Sequence, residues 1–108
     1  MHTHSVGSTV LARRHASTGT LVLTGFEILK GLEGVHSHED RVVLPIFPNT
    51  QEMPPLVQRV RDWVAGNTPF HGFLIDGHGL YTWGGSVETA KRHVEVFEFL
   101  FECLLELA

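Results

Sequence analysis

Apolar residues recur along this chain at two periods, and the alternation between those periods predicts the elements. Between residues 54 and 66, Leu56, Val57, Val60, Trp63 and Val64 follow helical spacing, with Pro54 near the first turn and Gly66 beyond the end. A longer helix follows Ser86, which caps it, and carries Glu88 in its first turn. Its Val87, Ala90, Val94, Phe97, Leu100, Phe101, Leu104 and Leu105 form a broad stripe that must lie against a sheet or another subunit. A short helix is predicted over residues 5–14, capped by Ser5, with Val6, Val10 and Leu11 apolar and Arg13 and Arg14 suited to its C-terminal end.

Strand patterns lie between these helices. Residues 20–24 are β-branched or apolar, and residues 26–32 then read as a helix stopped near Gly31. Residues 34–40 form a polar loop. Residues 41–47 are a continuous apolar run of the kind buried on both faces, and Pro45 places that strand at an edge or a bulge. Pro48, Asn49 and Thr50 make a turn, and Asn67, Thr68 and Pro69 make another break. Residues 72–84 hold two strand-like runs on either side of Asp76-Gly77, a hairpin signal. Strands alternating with helices around a hairpin predict a layered α/β fold with a mixed sheet and a site made from loops and strand ends. No repeat or low-complexity tract divides the chain, so residues 1–108 read as one domain.

Composition narrows the chemistry. With 108 residues, 43% hydrophobic and 19% charged, the chain can build one core and not two. Eight Lys and Arg against twelve Asp and Glu give a net charge of -4, which argues against tracking a nucleic-acid backbone. No apolar stretch approaches a membrane span, and no basic segment followed by an apolar one opens the chain, so membrane and secretory readings fall away. The expected partner is a small molecule. The one cysteine, Cys103, has no partner for an internal disulfide, which suits a reducing cytoplasm, and its Leu- and Phe-rich helix makes it a core thiol. Nucleotide-binding glycine loops and the Gly-x-Ser-x-Gly elbow of serine hydrolases are absent.

Histidine is the unusual residue: there are eight, as many as all lysines and arginines together. His2 and His4 form a His-x-His pair, and residues two apart on an extended segment point to one side, within reach of one ion. His78 lies between Gly77 and Gly79, where missing side chains let another group approach; it is either a third ligand or a polar strand residue. Three histidines with an open fourth position are the arrangement of a catalytic zinc. Glu27 is the one carboxylate of a mostly apolar run and reads either as a solvated helix residue or as an acid/base group whose proton affinity burial raises and a nearby dication lowers. His36, His38 and Glu39 sit in the polar loop, and His15, His71 and His93 read as surface or hydrogen-bonded structural residues.

Five segments, in order along the chain, resemble the class II aldolase and adducin head family. They are residues 2–5, 24–31 (Thr-Gly-Phe-Glu-Ile-Leu-Lys-Gly), 43–50 (Val-Leu-Pro-Ile-Phe-Pro-Asn-Thr), 71–84 with their His-Gly-x-Tyr-x-Trp-Gly ending, and 90–103. The resemblance implies a layered α/β/α fold around a mixed sheet, and a zinc lyase of methionine salvage. That lyase converts 5-methylthioribulose 1-phosphate to 2,3-diketo-5-methylthiopentyl 1-phosphate. The family's metal ligands fall on His2, His4 and His78, and its acid/base glutamate on Glu27, which would take the C3 proton or return one to the departing C4 hydroxyl. Members of the family are symmetric oligomers with sites near subunit interfaces, so a cytoplasmic homo-oligomer is expected. A sugar-phosphate aldolase or epimerase of the same family is the nearest alternative, and a non-catalytic adducin-head-like interaction domain or an inactive fragment is another. Family members are longer, with the His-x-His pair near the middle, so the chain resembles their C-terminal half, without the N-terminal strands or a recognisable phosphate loop.

Overall fold

The computed structural model describes residues 1–66 and 70–107, so the break expected at Asn67, Thr68 and Pro69 lies outside the described residues. In chain order the elements are β1 (His2–Thr3), α1 (Val6–His15), β2 (Thr20–Leu23), a 3-10 helix (Glu27–Gly31), β3 (Val42–Phe47), α2 (Met53–Gly66), β4 (Gly72–Ile75), β5 (Gly79–Thr82) and α3 (Val87–Leu107). The strands form one sheet in the order β1-β5-β4-β3-β2. Only β3 and β4 run parallel; every other pair is antiparallel, so the sheet is mixed as expected.

Strand alternation separates the two faces of the sheet. Val42, Leu44, Ile46, Leu74 and Leu80 point to one face and pack with Leu11 and Ala12 of α1 and Val96, Phe97, Leu100 and Phe101 of α3. Phe47 and Ile75 point to the other and pack with Leu56 of α2, beside Val60, Trp63, Phe73 and Tyr81. The result is the layered α/β arrangement predicted above. Phe97, Phe101, Leu100, Leu74 and Leu80 are fully buried, each contributing about 1.5–3 kcal/mol of transfer free energy. Among the described residues no helix is long and apolar enough to cross a membrane.

Several sequence expectations are corrected. β3 is not an edge strand: β2 and β4 flank it. Its proline is tolerated because the two ladders meet there. Pairing with β2 runs to Pro45, and pairing with β4 begins only at Ile46. The Ile46 N–H donates to Gly19 O on the β2 side at 2.8 Å, so pleat alternation turns the proline nitrogen toward the β4 side, where no ladder partner is yet due. The helix expected over residues 26–32 is a short 3-10 helix, Glu27–Gly31. Val35, in the loop read as polar, is buried. On α3 the stripe is shifted: Val87 is exposed, and His93 and Val96 take buried places. Cys103 is half-buried, in an apolar groove with Phe26 and Phe99. On α2 only Leu56 is buried, and Val57 and Val64 stay exposed.

Candidate metal centre

The first strand and the hairpin meet at one border of the sheet. His2 lies opposite Tyr81 and Thr3 opposite Leu80. After His4 the chain enters α1 through Ser5, whose Oγ accepts from the Ser8 N–H at 3.1 Å. Ile75 lies opposite Gly79, so Asp76, Gly77 and His78 form a three-residue turn, closed by the His78 N–H donating to Ile75 O at 3.0 Å. Gly77 holds φ +64°, a conformation that favours glycine. At Gly79 a Cβ would overlap the Thr3 carbonyl oxygen and lie 3.3 Å from His2 Cε1. The bare backbone there lets β1 close onto β5, which carries two histidines to the turn that holds the third.

His2, His4 and His78 each offer a ring nitrogen, and these nitrogens lie within 4.8 Å of one another. The ring centroids are 4.4 Å apart for His2 and His4, 5.0 Å for His2 and His78, and 4.9 Å for His4 and His78. A carbonyl oxygen only accepts, so His2 Nδ1–H donates to Leu80 O at 2.8 Å. That bond assigns the tautomer and leaves a lone pair on Nε2. The Nε2 of His4 lies 2.6 Å from that of His2, so the two nitrogens meet at one point. Among the described residues, His78 Nδ1 is the buried side-chain polar atom with no hydrogen-bond partner. Such an orphan costs about 1–3 kcal/mol unless a partner is supplied from outside the chain.

The electrostatics favour the same fit. Burial pushes the His78 imidazole below its ordinary pKa, and the charges of His2 and His4 act in the same direction. The lowering favours the neutral form, the one that ligates a metal. Three imidazoles gathered in this way would fit a divalent ion such as zinc, and they would hold it in their neutral form.

Glu27 stands elsewhere. It follows β2, at the opposite border of the sheet from β1. Its carboxylate pairs with Lys30 Nζ and lies 3.8 Å from His38 Nδ1, with 73% of the side chain exposed. The burial that would raise its proton affinity is missing. Instead the hydrogen bond and charge of Lys30, with a smaller effect of His38, hold the carboxyl below its usual range. The fold does not bring this carboxylate to the imidazoles of its own chain.

The remaining histidines divide as their surroundings dictate. His36 and His38 are exposed and His15 is half-buried. His71 and His93 are buried and hydrogen-bonded: His71 Nε2–H donates to Glu33 O at 2.6 Å, and His93 Nε2 accepts from the Glu33 N–H at 3.0 Å. Sequence reasoning passed over Leu80, whose carbonyl holds His2, and Tyr81, whose ring lies on it. It also passed over Arg13, whose Nε bonds Asp76 Oδ1 at 2.7 Å and ties the hairpin turn to α1. The hairpin register was the available signal, because it puts Tyr81 on one face and Leu80 on the other.

Residues 1–105 match the family described as class II aldolase and adducin N-terminal domain. The chain is 49% identical over 106 residues to a methylthioribulose-1-phosphate dehydratase of Marinobacter nauticus, covering 98% of this chain and 51% of that protein. It is 52% identical over 107 residues to a protein of the same name from Pectobacterium atrosepticum, with 98% and 51% covered. For one from Yersinia pestis the identity is 54% over 107 residues, with 98% and 47% covered. The chain thus spans about half the length of the curated relatives it matches.

Proposed function

The chain belongs to the class II aldolase and adducin N-terminal domain family, and from that membership we propose that it forms part of a zinc-dependent lyase. The reaction is loss of water from 5-methylthioribulose 1-phosphate to give 2,3-diketo-5-methylthiopentyl 1-phosphate, a step of methionine salvage. Relatives named for this dehydratase support the substrate. The observation that carries the reading is the convergence of three imidazoles, each offering a ring nitrogen within 4.8 Å of the others. We take residues 1–108 as one domain of that fold, acting in the cytoplasm, where the lone Cys103 stays reduced.

When bound, zinc supplies Lewis-acid polarisation of the sugar's carbonyl and hydroxyl oxygens. His2, His4 and His78 act as its neutral ligands, with the Leu80 carbonyl keeping His2 in the ligating tautomer. Glu27, held ionised by Lys30, takes the C3 proton or passes one to the departing C4 hydroxyl. Because β1 and β2 are opposite borders of the sheet, the carboxylate that serves one triad comes from a neighbouring copy in a homo-oligomer.

Zinc content and product analysis test this reading. The chain is expected to bind one zinc, to lose it in the His78→Ala variant, and to form the diketone. Undiminished zinc in His78→Ala refutes the ligand set. Retro-aldol cleavage in place of the diketone identifies an aldolase of the same family, and zinc binding without turnover favours a non-catalytic interaction domain.

A further inference from the structure

His2 is an exposed side chain on a strand of two residues, so its backbone alone leaves the imidazole torsions free. Two contacts restrain them. The bond from Nδ1–H to Leu80 O selects which nitrogen faces the other histidines. The Tyr81 ring then lies flat on the imidazole, with centroids 3.9 Å apart and planes 18° from parallel.

The sheet register builds this stack. His2 is directly opposite Tyr81 across β1 and β5, and Tyr81 is directly opposite Phe73 across β5 and β4. Tyr81 and Phe73 are themselves stacked, 5.0 Å apart at 13°. Phe47 of β3 meets Phe73 edge-on at 5.4 Å. Three rings thus lie in one row across three adjacent strands, on the face that α2 covers, with a fourth ring behind them.

We propose that Tyr81 is a positioning residue for the ion held by His2, His4 and His78, its ring fixing the plane of the His2 imidazole through a stack anchored on Phe73. This rests on the zinc reading of the triad. An imidazole that ligates a cation becomes electron-poor, and the face of an aromatic ring attracts such a group, so the stack tightens on metal binding. The ring, and not the hydroxyl, carries the effect.

The chain contains a single tyrosine, which makes the contact readable. Zinc is titrated against a competing chelator while the ring-proton resonances of Tyr81 are followed by NMR. In the wild-type chain those resonances shift with the same midpoint as zinc uptake. Tyr81→Phe binds zinc within about 2-fold of wild type, and folded Tyr81→Leu binds about 10-fold more weakly, the loss usual when support around a ligand is removed. A folded Tyr81→Leu chain with wild-type affinity overturns the proposal, as does zinc uptake that leaves the tyrosine resonances unmoved; the second measurement decides if the leucine variant does not fold. A wild-type chain that takes up no zinc refutes the zinc reading itself, a result distinct from normal uptake by the leucine variant.

Discussion

The carbonyl oxygen of Thr3 occupies the space where a side chain on Gly79 would begin. The obstacle is backbone and not the end of a flexible side chain, so Gly79→Ala forces β1 away from β5. The expected cost is about 1–3 kcal/mol of stability, with weakened zinc binding as His2 leaves Leu80. Hydrogen exchange at the Thr82 N–H, which donates to Met1 O at 3.0 Å, reports the displacement directly. Protection and zinc affinity equal to wild type would show that β1 accommodates the methyl group.

His93 makes the fold sensitive to acid. It is 2% exposed, accepts from the Glu33 N–H through Nε2, and donates through Nδ1–H to Trp83 O at 2.6 Å, so the ring is neutral. Burial is the main cause of its lowered pKa, with the charges of His71 and Arg92 adding to it, against the Trp83 bond and Glu33. The unfolded chain, titrating near the ordinary value of about 6.5, binds the extra proton first. Stability is therefore complete above that value and declines as pH falls from it toward the folded pKa. Urea unfolding at pH 7 and pH 5 is expected to show a smaller decline in His93→Gln, whose amide can both accept and donate. An equal decline in the two proteins would clear His93 of the effect.

The pair of Arg13 and Asp76 is exposed, with 72% and 31% of the two side chains accessible. Arg13→Ala is expected to cost about 0.2–1 kcal/mol in low salt, and less at high ionic strength. Unfolding free energies at two salt concentrations check this. A larger loss, insensitive to salt, would mean that the guanidinium packed over Gly77 holds the turn by contact and not by charge.

Glu27→Gln separates binding from chemistry. The carboxylate is solvent-exposed and is not one of the three proposed ligands, so zinc affinity and the unfolding transition are expected to remain as in wild type. Diketone formation is expected to fall by about 100-fold or more, the scale of a positioned proton transfer. Retained turnover would remove Glu27 from the reaction.

Helices and the hairpin were readable because their signals are local. Ser5, Ser86 and the Asp76-Gly77 turn act within a few residues of themselves, and α2 and α3 announce their periods. Neighbours across the sheet are a different matter. Pro45 suggested an edge because nothing in residues 41–47 reveals that one ladder ends where another starts. Nothing in the α3 pattern marks His93 for burial, because its partners are backbone groups of Glu33 and Trp83, outside the helix. Likeness to the family singled out His2, His4 and His78, and the fold gathers them; the same likeness named Glu27 without revealing that it stands across the sheet. Tyr81 was visible only as a motif letter until the register gave it a partner.

The bond between His2 and Leu80 joins positions 78 apart in the chain, and the bond that the Thr82 N–H donates to Met1 O joins positions 81 apart. Closures of that span are expected late in folding, because the entropy of the intervening loop is lost before the contacts they make are gained. On the proposed zinc reading, capture of the ion would then mark the end of the folding sequence. A chain stalled with helices and hairpin already formed would still lack the coordinating trio, and metal uptake would sort finished molecules from unfinished ones.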